Sequence, residues 1–214
     1  MAVEVKRIVV GPLEENCYIV YKDGAPDNKC FLVDPGAGGT KILNELRSMN
    51  RMPEAVFLTH GHFDHIMAVN WIRKEYPEIP VYASEKEEEV LTDPGKSLLS
   101  GISGQFRLTE VTYLPDRQRL VSAGIPVRLL STPGHTAGSC CWYLEEEGIL
   151  FSGDTLFRES AGRTDFPTGS DTQIRKSILE TLKPLPEETA VYPGHGEKTE
   201  IGHEKKYNFI MLGF

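Results

Sequence analysis

Thr59-His60-Gly61-His62-Phe63-Asp64-His65 follows directly on the apolar run Ala55-Val56-Phe57-Leu58, and its reading decides the fold. Three imidazoles and a carboxylate crowd into the stretch from His60 to His65. Nitrogen and carboxylate donors this dense are how a protein holds Zn²⁺ or a similar transition ion at neutral pH. In an extended chain, residues 60 and 62 project to the same side. Past a bend at Gly61, Asp64 and His65 can aim at a second point nearby, so one segment can serve two neighbouring ions. The alternative is a polar loop that happens to be rich in titratable side chains. Donors elsewhere in the chain decide between the two.

His135 lies in Ser131-Thr132-Pro133-Gly134-His135-Thr136, after Val127-Arg128-Leu129-Leu130. Asp154 lies in Ser152-Gly153-Asp154, after Ile149-Leu150-Phe151, and His195 in Pro193-Gly194-His195-Gly196, after Ala190-Val191-Tyr192. Each time a short β-branched or aromatic run meets a small residue and then a metal-type donor. Runs of this length bounded by Gly and Pro read as buried strands. Donors just past their carboxyl ends would share one rim, where α/β proteins place their sites. The glycines at 61, 134, 153, 194 and 196 suit a backbone that turns sharply or passes close to an ion. Six histidines are present in all, so five of them belong to this pattern.

These residues resemble the ligand set of the metallo-β-lactamase-fold hydrolases, and the likeness covers nearly the whole chain. Within that superfamily the chain is similar to the short, single-domain glyoxalase II-like group, the hydroxyacylglutathione hydrolases. Glu15-Asn16-Cys17-Tyr18, Phe31-Leu32-Val33-Asp34-Pro35-Gly36, Gly153-Asp154-Thr155-Leu156-Phe157, Gly162-Arg163-Thr164-Asp165-Phe166 and the tail Ile201-Gly202-His203-Glu204-Lys205-Lys206-Tyr207-Asn208 carry it. The resemblance implies that His60, His62 and His135 bind one metal, that Asp64, His65 and His195 bind the other, and that Asp154 bridges the two. It implies a four-layer αββα sandwich forming one domain over 1–214, without the C-terminal helical domain of the longer glutathione-specific enzymes. Periodicity alone gives only α/β.

Composition fits a globular enzyme. Hydrophobic residues make up 40% and charged residues 25% of the 214, which is ordinary for a single core. The start, Met1-Ala2-Val3-Glu4-Val5-Lys6, lacks a signal-peptide core, and a cytoplasmic location is expected. No stretch reaches membrane-span length. Cys17, Cys140 and Cys141 sit in apolar runs and, with Cys30, form no CxxC pair, so free thiols outside the metal set are expected. A net charge of −8 argues against a nucleic-acid surface. Arg117/Arg119 and Lys205/Lys206 then read as solvated faces.

Strands are predicted near Val5–Val10, Cys17–Tyr21, Cys30–Val33, residues 55–58 and Val81–Ala83, several between Val111 and Phe151, and a last at 190–192. Helices are predicted over Thr40–Ser48, over Asp64–Tyr76 with Ile66, Val69, Trp71 and Ile72 inward, over Ser84–Leu91, and over Asp171–Leu182 behind an Asp cap. The irregular segment 93–106 is read either as a cover for the substrate or as an inert surface loop.

Two divalent ions, with Zn²⁺ expected and Fe or Mn²⁺ accepted by the same donors, would lower the pKa of a shared water and polarise a carbonyl. Asp64 and Asp154 are the carboxylates placed for catalysis. A thiolate leaving group needs little protonation, so the expected partner is a small thioester or ester, with no nucleic acid and no membrane. Asp34 either fixes a ligand imidazole or merely organises its Pro-Gly turn. Thr59 and Thr136, beside ligands, are candidates for similar work. Arg163, nine residues past Asp154, either meets a substrate carboxylate or ties its loop through Asp165. His203, in the helical tail, reads as a packing or capping residue. The rival activities are a persulfide dioxygenase with one iron, which would leave Asp64 and His195 unused, a lactonase or other esterase, and a metal scaffold without turnover. A true β-lactamase is not expected, since no export signal and no cysteine ligand are seen.

Overall fold

A computed structural model describes residues 2–100 and 106–214. Its first sheet runs β1 (Val3–Val10), β2 (Glu15–Lys22), β3 (Lys29–Val33), β4 (Met52–Phe57), β5 (Val81–Ser84), β6 (Val111–Leu114), in that spatial order. The second is ordered β14 (Thr199–Glu200), β13 (Ala190–Pro193), β10 (Ile149–Gly153), β9 (Cys140–Leu144), β8 (Ile125–Ser131), β7 (Arg119–Ser122). A small hairpin, β11 (Leu156–Phe157) with β12 (Ser160–Ala161), stands apart. Strands β3 to β6 pair in parallel, as do β10 and β13. The rest of each sheet is antiparallel.

The strand runs look uniformly apolar because both of their faces are covered, and the period of two still sorts them. Cys17, Ile19, Cys30, Leu32 and Val56 face outward onto α1 (Gly39–Ser48) and α3 (Val69–Glu75), meeting Ile42, Leu46, Val69 and Ile72. Their neighbours Tyr18, Val20, Phe31, Val33 and Phe57 face the second sheet, meeting Val127, Leu129, Trp142 and Phe151. Beyond it, Leu130, Cys141, Tyr143, Leu150 and Val191 pack on α5 (Asp171–Lys176), its continuation Ser177–Leu182, and α6 (Ile201–Tyr207). These three apolar layers separate four layers of structure, the expected αββα sandwich.

Four local expectations are corrected. The helix expected over Asp64–Tyr76 is broken into α2 (Phe63–Ile66) and α3, because the Ala68 N–H donates to the Pro35 carbonyl instead of back along its own helix. Trp71 is half exposed rather than inward. The charged helix after β5 begins as a tight turn at Glu85–Glu87 and becomes α4 (Glu88–Thr92). The cap of α5 is Ser170, whose hydroxyl accepts the Gln173 N–H, and Asp171 stands inside the first turn. All four cysteines are buried and free. Residues 101–105 of the segment read as a cover or a surface loop lie outside the described residues.

Phe57 lies where the sheets meet, edge-on to Phe31 at 5.0 Å and to Trp142 at 4.7 Å between ring centroids. Phe57→Ala is expected to cost about 3–5 kcal/mol, read as a drop in the urea midpoint. A near-neutral outcome would be incompatible with this packing.

Candidate metal centre

The ligand-type residues leave the carboxyl ends of strands in both sheets. His60 and His62 follow β4, and Asp64 and His65 stand in α2 just beyond. His135 follows β8, Asp154 follows β10 and His195 follows β13. The rims are tied to one another by backbone. Cys140 N–H donates to Thr59 O at 2.9 Å, and Asn16 N–H to Gly194 O at 2.8 Å. Trp142 Nε1–H reaches Leu58 O at 3.0 Å, and the Tyr18 hydroxyl reaches Pro193 O at 2.6 Å. Gly194 has no room for a side chain: a Cβ there would overlap Asp154 Oδ1 and His65 Cε1.

Four of the five rings are held by Nδ1. His60 Nδ1 lies 3.1 Å from the Thr59 hydroxyl and His65 Nδ1 lies 3.0 Å from Asp34 Oδ2. His135 Nδ1 lies 2.7 Å from Arg163 O and His195 Nδ1 lies 3.1 Å from Leu13 O. An N–H donated at Nδ1 leaves the lone pair on Nε2. His62 turns the other way, its Nδ1 2.9 Å from His135 Nε2. Asp34 also accepts the Thr59 N–H at 2.7 Å and the Thr59 hydroxyl at 2.5 Å, so it orients an imidazole and organises the strand end at once.

Two triads result, each with donor atoms within 4.8 Å of one another: His60, His62, His135, and Asp64, His65, His195. Asp154 lies between them, Oδ1 3.4 Å from His65 Nε2 and Oδ2 3.6 Å from His135 Nε2. A third grouping, Asp34 with His60 and His65, has the spacing but not the free oxygens, since Asp34 spends them on Thr59 and His65. Among the described residues, the buried atoms His60 Nε2, His65 Nε2 and Asp154 Oδ1 make no hydrogen bond. Buried polar atoms without partners are rare and costly. Imidazole and carboxylate donors gathered this way fit a pair of divalent cations.

The two triads differ electrically. Burial, and then the surrounding imidazoles, hold His60 well below its ordinary value of 6.5, and burial and His135 bring His62 down to about 3. Burial opposes a proton on His65 as well, but Asp154, Asp64 and Asp34 outweigh it and raise this ring well above 6.5. His195 is raised too, burial again being outweighed by Asp64, 3.3 Å away, and Asp154. Asp64 itself stays below the usual carboxylate range, because His65 and His195 overcome its burial.

Arg163 directs the Nε–Nη2 edge of its guanidinium at both oxygens of Asp165, at 2.6 Å each, and lies 4.0 Å above the Phe166 ring. Its backbone carbonyl, not its side chain, touches the centre. Thr136 bonds to Glu87 rather than to a ligand. His203 pairs with Glu159 at 2.8 Å and lies beside Tyr207, away from both triads. Sequence reasoning missed two buried acids. Glu15 puts Oε1 3.9 Å from His65 Nδ1, and burial raises its carboxyl pKa. Glu87 was hidden in the acidic run Glu85-Lys86-Glu87-Glu88-Glu89. The carbonyls of Leu13 and Arg163 have no residue-type signal at all.

The metallo-β-lactamase superfamily model matches residues 10–195. The chain belongs to that superfamily. It is 36% identical to the probable metallo-hydrolase YqgX of Bacillus subtilis (strain 168), over 98% of both chains. It is 28% identical to the hydroxyacylglutathione hydrolase GloC of Haemophilus influenzae, over 95% of this chain and 96% of that one. The crystal structure of BLEG-1 B3 metallo-β-lactamase superposes with a TM-score of 0.90 at 37% identity, covering 98% of this chain and all of that one. TTHA1623 in a di-iron-bound form gives 0.81 at 33% identity, covering 96% and 99%. Family and donor set together make the chain a metallo-hydrolase with candidate metal-binding His and Asp residues. Among the described residues no helix is long and apolar enough to cross a membrane.

A ligand must shed its proton to take a metal. His65 and His195 hold protons above pH 6.5, whereas His62 stays neutral down to about 3. As pH falls, protons compete for His65 and His195 already above 6.5, so metal should leave the Asp64, His65, His195 triad before it leaves the triad that contains His60 and His62. Stepwise dialysis with elemental analysis should show a plateau at half the metal. Loss in a single step, or loss from the all-histidine triad first, would contradict the assignment.

Proposed function

We propose that the chain hydrolyses small thioesters or esters, S-2-hydroxyacylglutathiones among them, at a centre of two divalent ions. His60, His62 and His135 would hold one, Asp64, His65 and His195 the other, with Asp154 between them. The observation that carries the reading is the set of buried donor atoms at these triads that have no hydrogen-bond partner among the described residues. Bound there, two divalent ions supply a water ionised near neutral pH and an electrophile for the scissile carbonyl. Imidazole ligands bring no negative charge, so the first triad would leave a cation's charge largely uncancelled and polarising. Asp64, kept ionised, would hold the second ion and accept a hydrogen bond from that water. Asp154, with one oxygen toward each triad, would hold both ions. A thiolate departs without prior protonation, which suits a centre whose carboxylates and rings are already committed.

The name of GloC supports a hydroxyacylglutathione substrate. Proximity of Asp64 to His195 favours two ions over one, and so hydrolysis over a one-iron dioxygenase. The likeness to BLEG-1 carries a second reading, hydrolysis of the β-lactam amide. The likeness to di-iron TTHA1623 keeps iron beside zinc as the metal. A cytoplasmic protein acting on small molecules, without nucleic-acid or membrane partners, completes the proposal.

Protein of known metal content, assayed on S-D-lactoylglutathione beside other thioesters, lactones and β-lactams, should show its highest kcat/KM on a thioester. A preference for β-lactams would replace the first reading with the second. Asp154→Ala is expected to lose metal and turnover together, and a fully active D154A protein would end the bridging role.

Arg163 meets substrate only by letting go of Asp165, an exchange made easy by the weakness of exposed ion pairs in water. Arg163→Ala should raise KM for an anionic thioester about tenfold with kcat little changed, and Asp165→Ala should lower it. If neither moves KM, the guanidinium serves its own loop alone.

A further inference from the structure

One carboxylate outside both triads joins the two loops that carry the first of them. Glu87 lies in the turn Glu85–Glu87 after β5 and is wholly buried. Its Oε1 accepts the N–H of Gly61, the residue between His60 and His62, at 2.7 Å. Its Oε2 accepts the Thr136 hydroxyl at 2.8 Å and the Gly138 N–H at 2.9 Å, both in the loop just past His135. Thr136 is held in turn, its N–H donating to Ser139 Oγ at 3.0 Å with the two hydroxyls 2.7 Å apart. Gly138 lies flat against the turn, where a Cβ would overlap the backbone of Lys86 and Glu87.

Desolvating a carboxylate is expensive, and burial pushes Glu87 up to about 8 against the pull of Thr136, Gly61 and Gly138. An apolar side chain of similar volume would hold the loops together at less cost, but it would not define their separation. Three directed hydrogen bonds to one rigid group do define it. The two loops come from different sheets, and no ring of the first triad bonds to Glu87, so its influence passes through backbone.

We propose that Glu87 is a positioning residue: it clamps the His60/His62 loop to the His135 loop and thereby sets the affinity of that triad for its ion. The Asp64, His65, His195 triad lies outside its reach. The inference rests on the reading of the first triad as a metal site, and the test separates the two.

Zn²⁺ affinity is measured by chelator competition in two backgrounds, His195→Ala to report the first triad and His60→Ala to report the second. Glu87→Gln keeps the volume and the acceptor for Gly61 but turns an NH₂ toward Gly138 N–H. It should weaken Zn²⁺ binding about 10–100-fold in the first background and leave the second unchanged. Thr136→Val, which removes one of the three bonds, should give a smaller loss in the same background. In metal-free protein, E87Q should speed hydrogen exchange at the Gly61 and Gly138 amides. Equal loss in both backgrounds, or unchanged affinity in the first, overturns the clamp. Should the His195→Ala parent bind no Zn²⁺, the metal reading of the triad fails instead, and unchanged amide exchange would then overturn the clamp.

Discussion

Imidazoles pressed together in a dry interior repel one another once two of them hold protons, and this tension governs the whole rim. His60 lies 4.1 Å from His65 and 4.8 Å from both His62 and His135, between ring centroids. The molecule resolves the tension by segregation. On one side burial keeps His60 and His62 neutral. On the other, Asp34, Asp64 and Asp154 surround His65 and His195 with negative charge. Each side carries a cost of its own, because unpartnered nitrogens and crowded carboxylates both cost free energy when buried. A pair of cations would relieve both costs at once, which is the physical case for metal at this cluster.

Holding such a cluster open needs rigidity from outside it. Parallel pairing of β3 with β4 and of β10 with β13 brings strand carboxyl ends to one edge. Three apolar layers then fix the sheets face to face. The rings are oriented mostly by groups that belong to the frame: the Asp34 carboxylate, the Thr59 hydroxyl and the carbonyls of Leu13 and Arg163.

What could be read from the sequence follows from this division. Metal-type donors must be particular residues, so His60, His62, Asp64, His65, His135, Asp154 and His195 announced themselves, and their strands were visible as apolar runs. The frame was only partly legible. Asp34 stood out because it ends a strand beside Pro-Gly, whereas a carbonyl carries no letter, and Glu87 looked like one more surface glutamate in an acidic run. Arg163 was marked for its side chain, yet its backbone is what meets His135. Trp71 obeyed helical spacing but came to lie on the exposed side once Ala68 turned to Pro35 and the predicted helix split. The Asp171 cap failed for a simpler reason: Ser170, one residue earlier, has the extended backbone and the free hydroxyl that capping needs.

Each triad takes donors from both sheets. His60, His62, Asp64 and His65 come from the portion that builds the first sheet, and His135, Asp154 and His195 from the portion that builds the second. Neither portion owns a complete triad, so the chain is a clasp of two mutually dependent leaves. Were it severed in the connection at 115–118, each fragment would hold only part of each triad until it found the other, and full ion capture would report that the leaves had come together in correct alignment.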